Sequence, residues 1–203
     1  EIYTLSLHDA LPICKVACSD IRIDIFRGIV LDRPQLYANG TTVLDAAELR
    51  VAYDLAPLAR SVIAVNEIRL LRPRIFVVRT PRDSVWNVSR IAKPSTDTTT
   101  SAPPDIFIAL RRFQIVDGTL LVNDATVPWP DRKHFDPMHL HVADLQLRLS
   151  AYAALKDEDI SLAIDRLAYR DLSSPFVLED FALAAHVTRN GIDIPMLQIR
   201  LPQ

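Results

Sequence analysis

Apolar and polar residues alternate with a period of two along most of this chain from Ile21 onward. Leu49, Val51 and Tyr53 are separated by more polar or smaller residues, and the pattern recurs at 145–149, 160–164, 181–187 and 197–201. Such alternation is typical of β-strands that bury one face. Helical patterns are confined to residues 55–61 and 88–92. The sequence therefore predicts a mostly β fold, an elongated antiparallel sheet with one or two short helices.

One motif occurs three times, with two apolar residues before a proline or glycine and one apolar residue after it. The three copies are centred on Pro34, Pro73 and Gly118. In each copy the apolar residue after the centre lies five positions beyond the nearer of the two apolar residues before the centre. A regular strand would therefore place these two residues on opposite faces. One extra residue restores the face, and a β-bulge supplies it. We predict a bulge or kink near each centre.

Residues 1–13, EIYTLSLHDALPI, resemble one translated reading frame of a sequencing-library adapter. We therefore expect this segment to be an artefact and exclude His8 and Asp9 from functional reasoning. The remaining chain is expected to be an interior slice of a longer protein, truncated at its C-terminus as well. An upstream membrane anchor would then be lost from the sequence.

The genuine chain divides at a low-complexity segment. Residues 14–92 form a first β segment with a short helix, residues 93–105 a linker rich in Pro, Ser and Thr, and residues 106–203 a second β segment. The linker lacks large apolar side chains to offset the entropy of ordering it. Residues 123–138 contain three prolines and are predicted to form a long loop, and Asn190-Gly191 predicts a hairpin.

Composition and motif content argue against most enzymatic and nucleic-acid-binding functions. The formal charge is −2, so no general basic field attracts nucleic acid. The 19 arginines are interpreted as dispersed over solvated strand faces. Signatures of acyl transfer, zinc proteases and nucleotide hydrolysis are absent. We predict no catalytic residue, no cofactor and no enzymatic activity.

One segment combines residue types that bind metal ions at close spacing. It contains His134, Asp136, His139 and His141. His139 and His141 would share a face if they lie in a strand, and Asp136 could complete a three-ligand site. The alternative, which we favour, is a polar loop that leads into a strand whose outward positions are His139 and His141, because Pro137 interrupts the segment and no further ligand is identifiable.

Residues 65–91 resemble the AsmA-like superfamily of bacterial envelope proteins, which includes the TamB-type translocation and assembly proteins. The matching features are a strand with a kink at Pro73, a polar hairpin and the pair Trp86-Asn87 before an apolar helical turn. A later segment, RFQIVDGTLLVND, is similar to another strand of the family and contains Gly118 and Asp124. The family has no catalytic residues to transfer, so these positions, with Pro34, are expected to be structural.

The resemblance implies a sheet curled into a half-open apolar groove that faces the periplasm. The full protein would be anchored in the inner membrane and would guide lipid transport or outer-membrane assembly. Its partners would be phospholipid acyl chains or other envelope lipids, outer-membrane assembly proteins, and the membrane through an N-terminal anchor.

Two alternatives remain at this point. The first is a β-sandwich interaction module of a surface protein, which would require two facing sheets. The second is a metal enzyme built on the segment from His134 to His141, which would require those side chains to converge on a pocket.

Overall fold

A computed structural model describes residues 3–6, 14–38, 40–57, 62–81, 85–91, 107–129, 135–154, 159–188 and 191–202. Within these residues fifteen strands belong to one sheet, which is curled but does not close. The prediction of a mostly β, curled and open sheet is confirmed. The strands are β1 (Tyr3–Ser6), β2 (Cys14–Cys18), β3 (Asp20–Asp24), β4 (Gly28–Asp32), β5 (Gln35–Ala38), β6 (Thr41–Asp45), β7 (Glu48–Asp54), β8 (Val62–Leu71), β9 (Arg74–Arg79), β10 (Phe107–Leu110), β11 (Arg112–Asp124), β12 (His139–Ala154), β13 (Asp159–Asp171), β14 (Val177–Thr188) and β15 (Gly191–Arg200).

Neighbouring strands are antiparallel at every junction of the described sheet except one. At that junction β11 runs parallel to β8 and β9, and β10 runs parallel to β8. Parallel neighbours require a crossover rather than a tight turn, and here the crossover is the connection from β9 to β10. It contains a 3-10 helix, Asn87–Arg90. The strands before the crossover and the strands after it therefore belong to one continuous sheet.

Each predicted kink is present. Arg33, Arg72 and Asp117, which precede Pro34, Pro73 and Gly118, have positive φ angles of 47°, 47° and 55°. The pairing of β11 with β12 also shifts register at Gly118. A fourth such residue, Asp144 in β12, has a φ of 56° and was not predicted. Since Gly118 pairs with the next residue, Leu145, the kinks of β11 and β12 lie side by side.

The kinks line up into one bend across the sheet. Backbone hydrogen bonds connect Arg33 N–H to Ala47 O at 3.0 Å, Ala47 N–H to Leu71 O at 2.9 Å, and Arg72 N–H to Val116 O at 2.8 Å. The most buried apolar cluster follows this line, as expected when a sheet bends toward its apolar face. Its members are Ala46, Leu70, Ile115, Val142 and Leu145.

The other local predictions have mixed outcomes. The helical turn near residues 88–92 is the 3-10 helix at Asn87–Arg90, whereas residues 58–61 of the other predicted helix lie outside the described residues. The hairpin at Gly191 is confirmed by the antiparallel pairing of β14 with β15. The predicted loop at 123–138 is two residues shorter at its N-terminal end, because β11 continues to Asp124, and β12 begins at His139, directly after the predicted end of the loop.

Two sequence predictions cannot be compared with the structure. The linker at 93–105 lies outside the described residues. Of residues 1–13, Tyr3–Ser6 form β1, which pairs with β2, and their resemblance to an adapter stays a prediction. The described part of the chain holds no helix long and apolar enough to cross a membrane.

Candidate functional site

Two unbroken rows of apolar side chains cross one face of the sheet. In each row every member is the direct cross-strand partner of the next. The rows cross nine neighbouring strands, which are β3, β4, β7, β8, β11, β12, β13, β14 and β15. With strands about 4.8 Å apart, each row follows the sheet for roughly 38 Å. The first row is Ile21, Leu31, Leu49, Leu70, Ile115, Leu147, Leu167, Phe181 and Ile199. The second row is Ile23, Ile29, Val51, Ile68, Phe113, Leu149, Ile164, Leu183 and Leu197.

Burial along these rows falls from the middle toward both edges of the sheet. Leu70, near the bend, is 7% exposed. At the outer strands Ile23 is 65% exposed, Leu197 is 61% exposed and Ile199 is 57% exposed. A sheet that does not close leaves its apolar face without a second layer at these edges. The two rows, called here the inner face, are therefore a continuous apolar surface that opens to solvent at each side.

The Trp86-Asn87 pair fastens the crossover to the sheet. The Asn87 side chain accepts a hydrogen bond from Val78 N–H and donates one to Phe76 O, both at 2.8 Å. The ladder between β6 and β9 ends at Ile75, so the Asn87 amide replaces a neighbouring strand beyond that point. Asn87 therefore has a structural role at this edge of the described sheet.

Asp124 is fully buried at the end of β11 and pairs with Arg79 at the end of β9. Arg79 Nε donates to Asp124 Oδ1 at 3.0 Å, and a second guanidinium nitrogen contacts Oδ2. The Arg79 guanidinium also lies 5.2 Å from the Trp86 ring centroid, within cation–π range. The hydrogen bond from Arg79, with others from Thr126, holds the pKa of Asp124 well below its usual range.

The remaining motif residues, Pro34, Pro73 and Gly118, lie at the bend and are buried. A Cβ atom on Gly118 would approach Ile115 Cγ2 to 2.7 Å and a ring carbon of Pro73 to 3.1 Å. Gly118 is thus required by the close packing of β11 on the kink of the neighbouring strand. The three positions shape the inner face but present no reactive group.

A second buried aspartate, Asp171 at the end of β13, was missed from the sequence. Its carboxylate accepts hydrogen bonds from Ser173 N–H at 3.0 Å, Ser173 Oγ at 2.6 Å and His141 N–H at 3.2 Å, and from Ser174. Burial would raise the pKa of Asp171, but these hydrogen bonds lower it below the ordinary value. The signal was present in the sequence, because Asp124-x-Thr126 and Asp171-x-Ser173 are the same strand-ending turn.

In the described part of the chain, His139 is buried and bonded to neighbouring groups of the protein rather than arranged with other side chains around a metal ion. His139 Nε2 donates to Asp124 O at 3.1 Å, and its Nδ1 lies 2.6 Å from Asp136 Oδ2. The pair lowers the pKa of Asp136, and the Trp129 ring lies 4.6 Å from the imidazole.

The other histidines of the segment from His134 to His141 do not join this pair. His141 is exposed, and His134 lies outside the described residues. Among the residues that the structure describes, no group of three or more His, Cys, Asp or Glu side chains is arranged to hold a metal ion. His139 therefore has a structural role at the place where β11 ends and β12 begins.

Comparisons with protein-family models, curated proteins and solved structures find no match to this chain.

Proposed function

We propose that this chain is part of a non-enzymatic envelope protein whose inner face holds the acyl chains of phospholipids or other envelope lipids. The observation that carries the proposal is the pair of apolar rows, which continue without a polar interruption across nine strands. The half-exposed ends of these rows are the places where a lipid would enter or leave.

The energetics favour acyl chains over a ligand with many polar groups. Each methylene group that leaves water for an apolar surface contributes about 0.8 kcal/mol. The rows present Leu, Ile, Val and Phe side chains along their length, so a chain could shift by one strand and exchange one apolar contact for another. Such a surface suits movement of lipid along the sheet rather than tight binding at one position.

The resemblance to AsmA-like proteins supports the same class of function. It further suggests a periplasm-facing location, an inner-membrane anchor in the full-length protein, and a part in lipid transport or outer-membrane assembly. The alternative of a β-sandwich interaction module is less well supported, because the described strands belong to one sheet rather than to two facing sheets.

A pair of double variants on β15 tests the proposal. Leu197→Glu with Ile199→Glu places two charges on the inner face, whereas Met196→Glu with Gln198→Glu places them on the opposite face of the same exposed strand. Burying a charge against an acyl chain is costly, so the first variant should bind a fluorescent fatty acid at least about tenfold more weakly than the unmodified chain. The matched control should bind within about twofold of it.

The measurement is titration of the fluorescent fatty acid, with circular dichroism to verify folding of both variants. Lipids that co-purify with each protein should be counted by mass spectrometry in parallel. Equal affinity of the two variants, with both folded, would contradict an acyl-chain site on the inner face.

A further inference from the structure

A row of arginines crosses the opposite face of the sheet. The row crosses seven neighbouring strands, which are β3, β4, β7, β8, β11, β12 and β13, and each position lies directly across from the next. Five of these positions are arginines, and the other two are Val30 and Gln114. At about 4.8 Å per strand the row extends for roughly 29 Å. The row, called here the arginine row, is Arg22, Arg50, Arg69, Arg148 and Arg166. The alignment of these arginines depends on strand register, so the sequence alone shows them only as dispersed.

Two pairs of like charges are placed directly opposite each other in this row. Arg50 faces Arg69, and Arg148 faces Arg166. Like charges at directly opposed positions destabilise a sheet. Their alignment therefore costs stability, which an anionic partner would recover.

Neutralisation within the protein is incomplete. Arg22 pairs with Asp32 at 2.9 Å, and Arg50 lies 3.5 Å from Glu48. The other three arginines of the row, Arg69, Arg148 and Arg166, form no ion pair with any described residue.

The hairpin tip beside Arg22 is apolar and exposed. Ile25 is 64% exposed and Phe26 is 88% exposed, and both precede the exposed Arg27. Aromatic and aliphatic side chains next to basic residues are typical of segments that enter the interface of a bilayer. The tip thus adds an apolar component to the cationic row.

We propose that the arginine row and the hairpin tip dock on the surface of an anionic phospholipid bilayer. Guanidinium groups match the geometry of phosphate oxygens, and a row of about 29 Å presents its cations to several phosphates rather than to one. An acidic polypeptide would satisfy the charges but would offer no apolar layer for Phe26. The docking surface is on the face opposite the inner face, so it stands independently of the proposed acyl-chain site.

Co-sedimentation with vesicles tests the docking surface. The full chain should bind vesicles of equal parts phosphatidylglycerol and phosphatidylcholine, and bind pure phosphatidylcholine far more weakly. Each arginine near an anionic surface contributes about a fivefold gain in binding, so Arg148→Gln with Arg166→Gln should weaken binding roughly 25-fold. The loss should shrink as salt screens the charges. Phe26→Ser should weaken binding by an amount that salt does not change.

The matched control is Arg170→Gln with Arg200→Gln, which removes the same charge from exposed positions outside the row and should weaken binding clearly less than the row variant does, because Arg170 is already paired with Asp144 and Arg200 lies beyond the end of the row. Folding of each variant is verified by its thermal unfolding curve. The proposal is overturned if the unmodified chain does not bind anionic vesicles, or if the row variant binds as tightly as the control. It is also overturned if polyglutamate binds as tightly as the vesicles with the same dependence on Arg148 and Arg166.

The variant with Leu197→Glu and Ile199→Glu separates this proposal from the acyl-chain site. It should lose fatty-acid binding and keep vesicle binding, because its charges lie on the inner face. Loss of vesicle binding in this folded variant would contradict docking through the opposite face.

Discussion

Replacing Gly28 with alanine is expected to lower the free energy of unfolding by roughly 4 kcal/mol. Gly28 begins β4 with a φ of +130°, a region that L-residues rarely adopt. A Cβ atom at this position would lie 2.1 Å from Val51 O, so the backbones of β4 and β7 would have to move apart. Urea unfolding followed by circular dichroism measures the loss.

Gly191→Ala is the matched control for this prediction. Gly191 has a similar φ of +151°, but no atom of the described residues lies within 4 Å of its potential Cβ. The free energy of unfolding of the Gly191→Ala variant should therefore fall only by the cost of backbone strain, about 1–2 kcal/mol. If the two variants lose the same stability, the close approach of Gly28 to β7 is not a constraint on the sheet.

Asp124→Asn is expected to lower the Tm by roughly 10 °C. Asparagine can still accept hydrogen bonds from Thr126, but it leaves the Arg79 guanidinium without its buried counter-charge. Removal of one partner from a buried ion pair is strongly destabilising, because the other charge remains desolvated. The end of the sheet, where Asp124 O also accepts from His139, would be weakened. Differential scanning calorimetry measures the change.

The control is Asp144→Asn, which breaks an ion pair of 2.7 Å with Arg170 that is exposed on both sides. An exposed pair contributes little, so the Tm should fall by less than about 2 °C. Asparagine also tolerates the positive φ of Asp144. Equal decreases in Tm for the two variants would show that burial does not determine how much Asp124 contributes to stability.

The stabilising effect of Asp124 depends on pH with a defined sign. Its pKa is lower in the folded chain than the value of about 3.9 expected in the unfolded chain. Its contribution is therefore complete above about pH 5 and decreases as the pH falls below about 4. The difference in stability between the unmodified chain and Asp124→Asn should shrink over that acidic range. The lowered pKa values of Asp136 and Asp171 leave some acid sensitivity in the variant.

The strands and three of the kinks could be predicted because local sequence determines them. Alternation fixes which side chains share a face, and an odd spacing around Pro34, Pro73 or Gly118 requires an extra residue to preserve that face. The kink at Asp144 carries no proline or glycine, so nothing in the sequence distinguished it. Its position follows from its neighbour, since Leu145 pairs with Gly118 of the adjacent bent strand.

The rows on both faces could not be predicted, because they depend on how strands are aligned across the sheet. The parallel junction of β8 with β11 sets that alignment after a crossover whose path the sequence does not reveal. The same limit applies to His139, which is buried because the preceding loop brings Trp129 and Asp136 onto it. The interpretation favoured from the sequence places His139 at an outward strand position, whereas the structure buries its side chain.

Photo-crosslinking with a fatty acid that carries a diazirine in its acyl chain tests most directly whether acyl chains bind to the inner face. It requires no substitution, and mass spectrometry of the digested chain locates the modified residues. Modification is expected along the inner face, at residues such as Phe113, Leu149 and Leu183, and little is expected at their neighbours Gln114, Arg148 and Ala184 on the opposite face. Modification spread evenly over both faces, or confined to the arginine row, would contradict acyl-chain binding to the inner face.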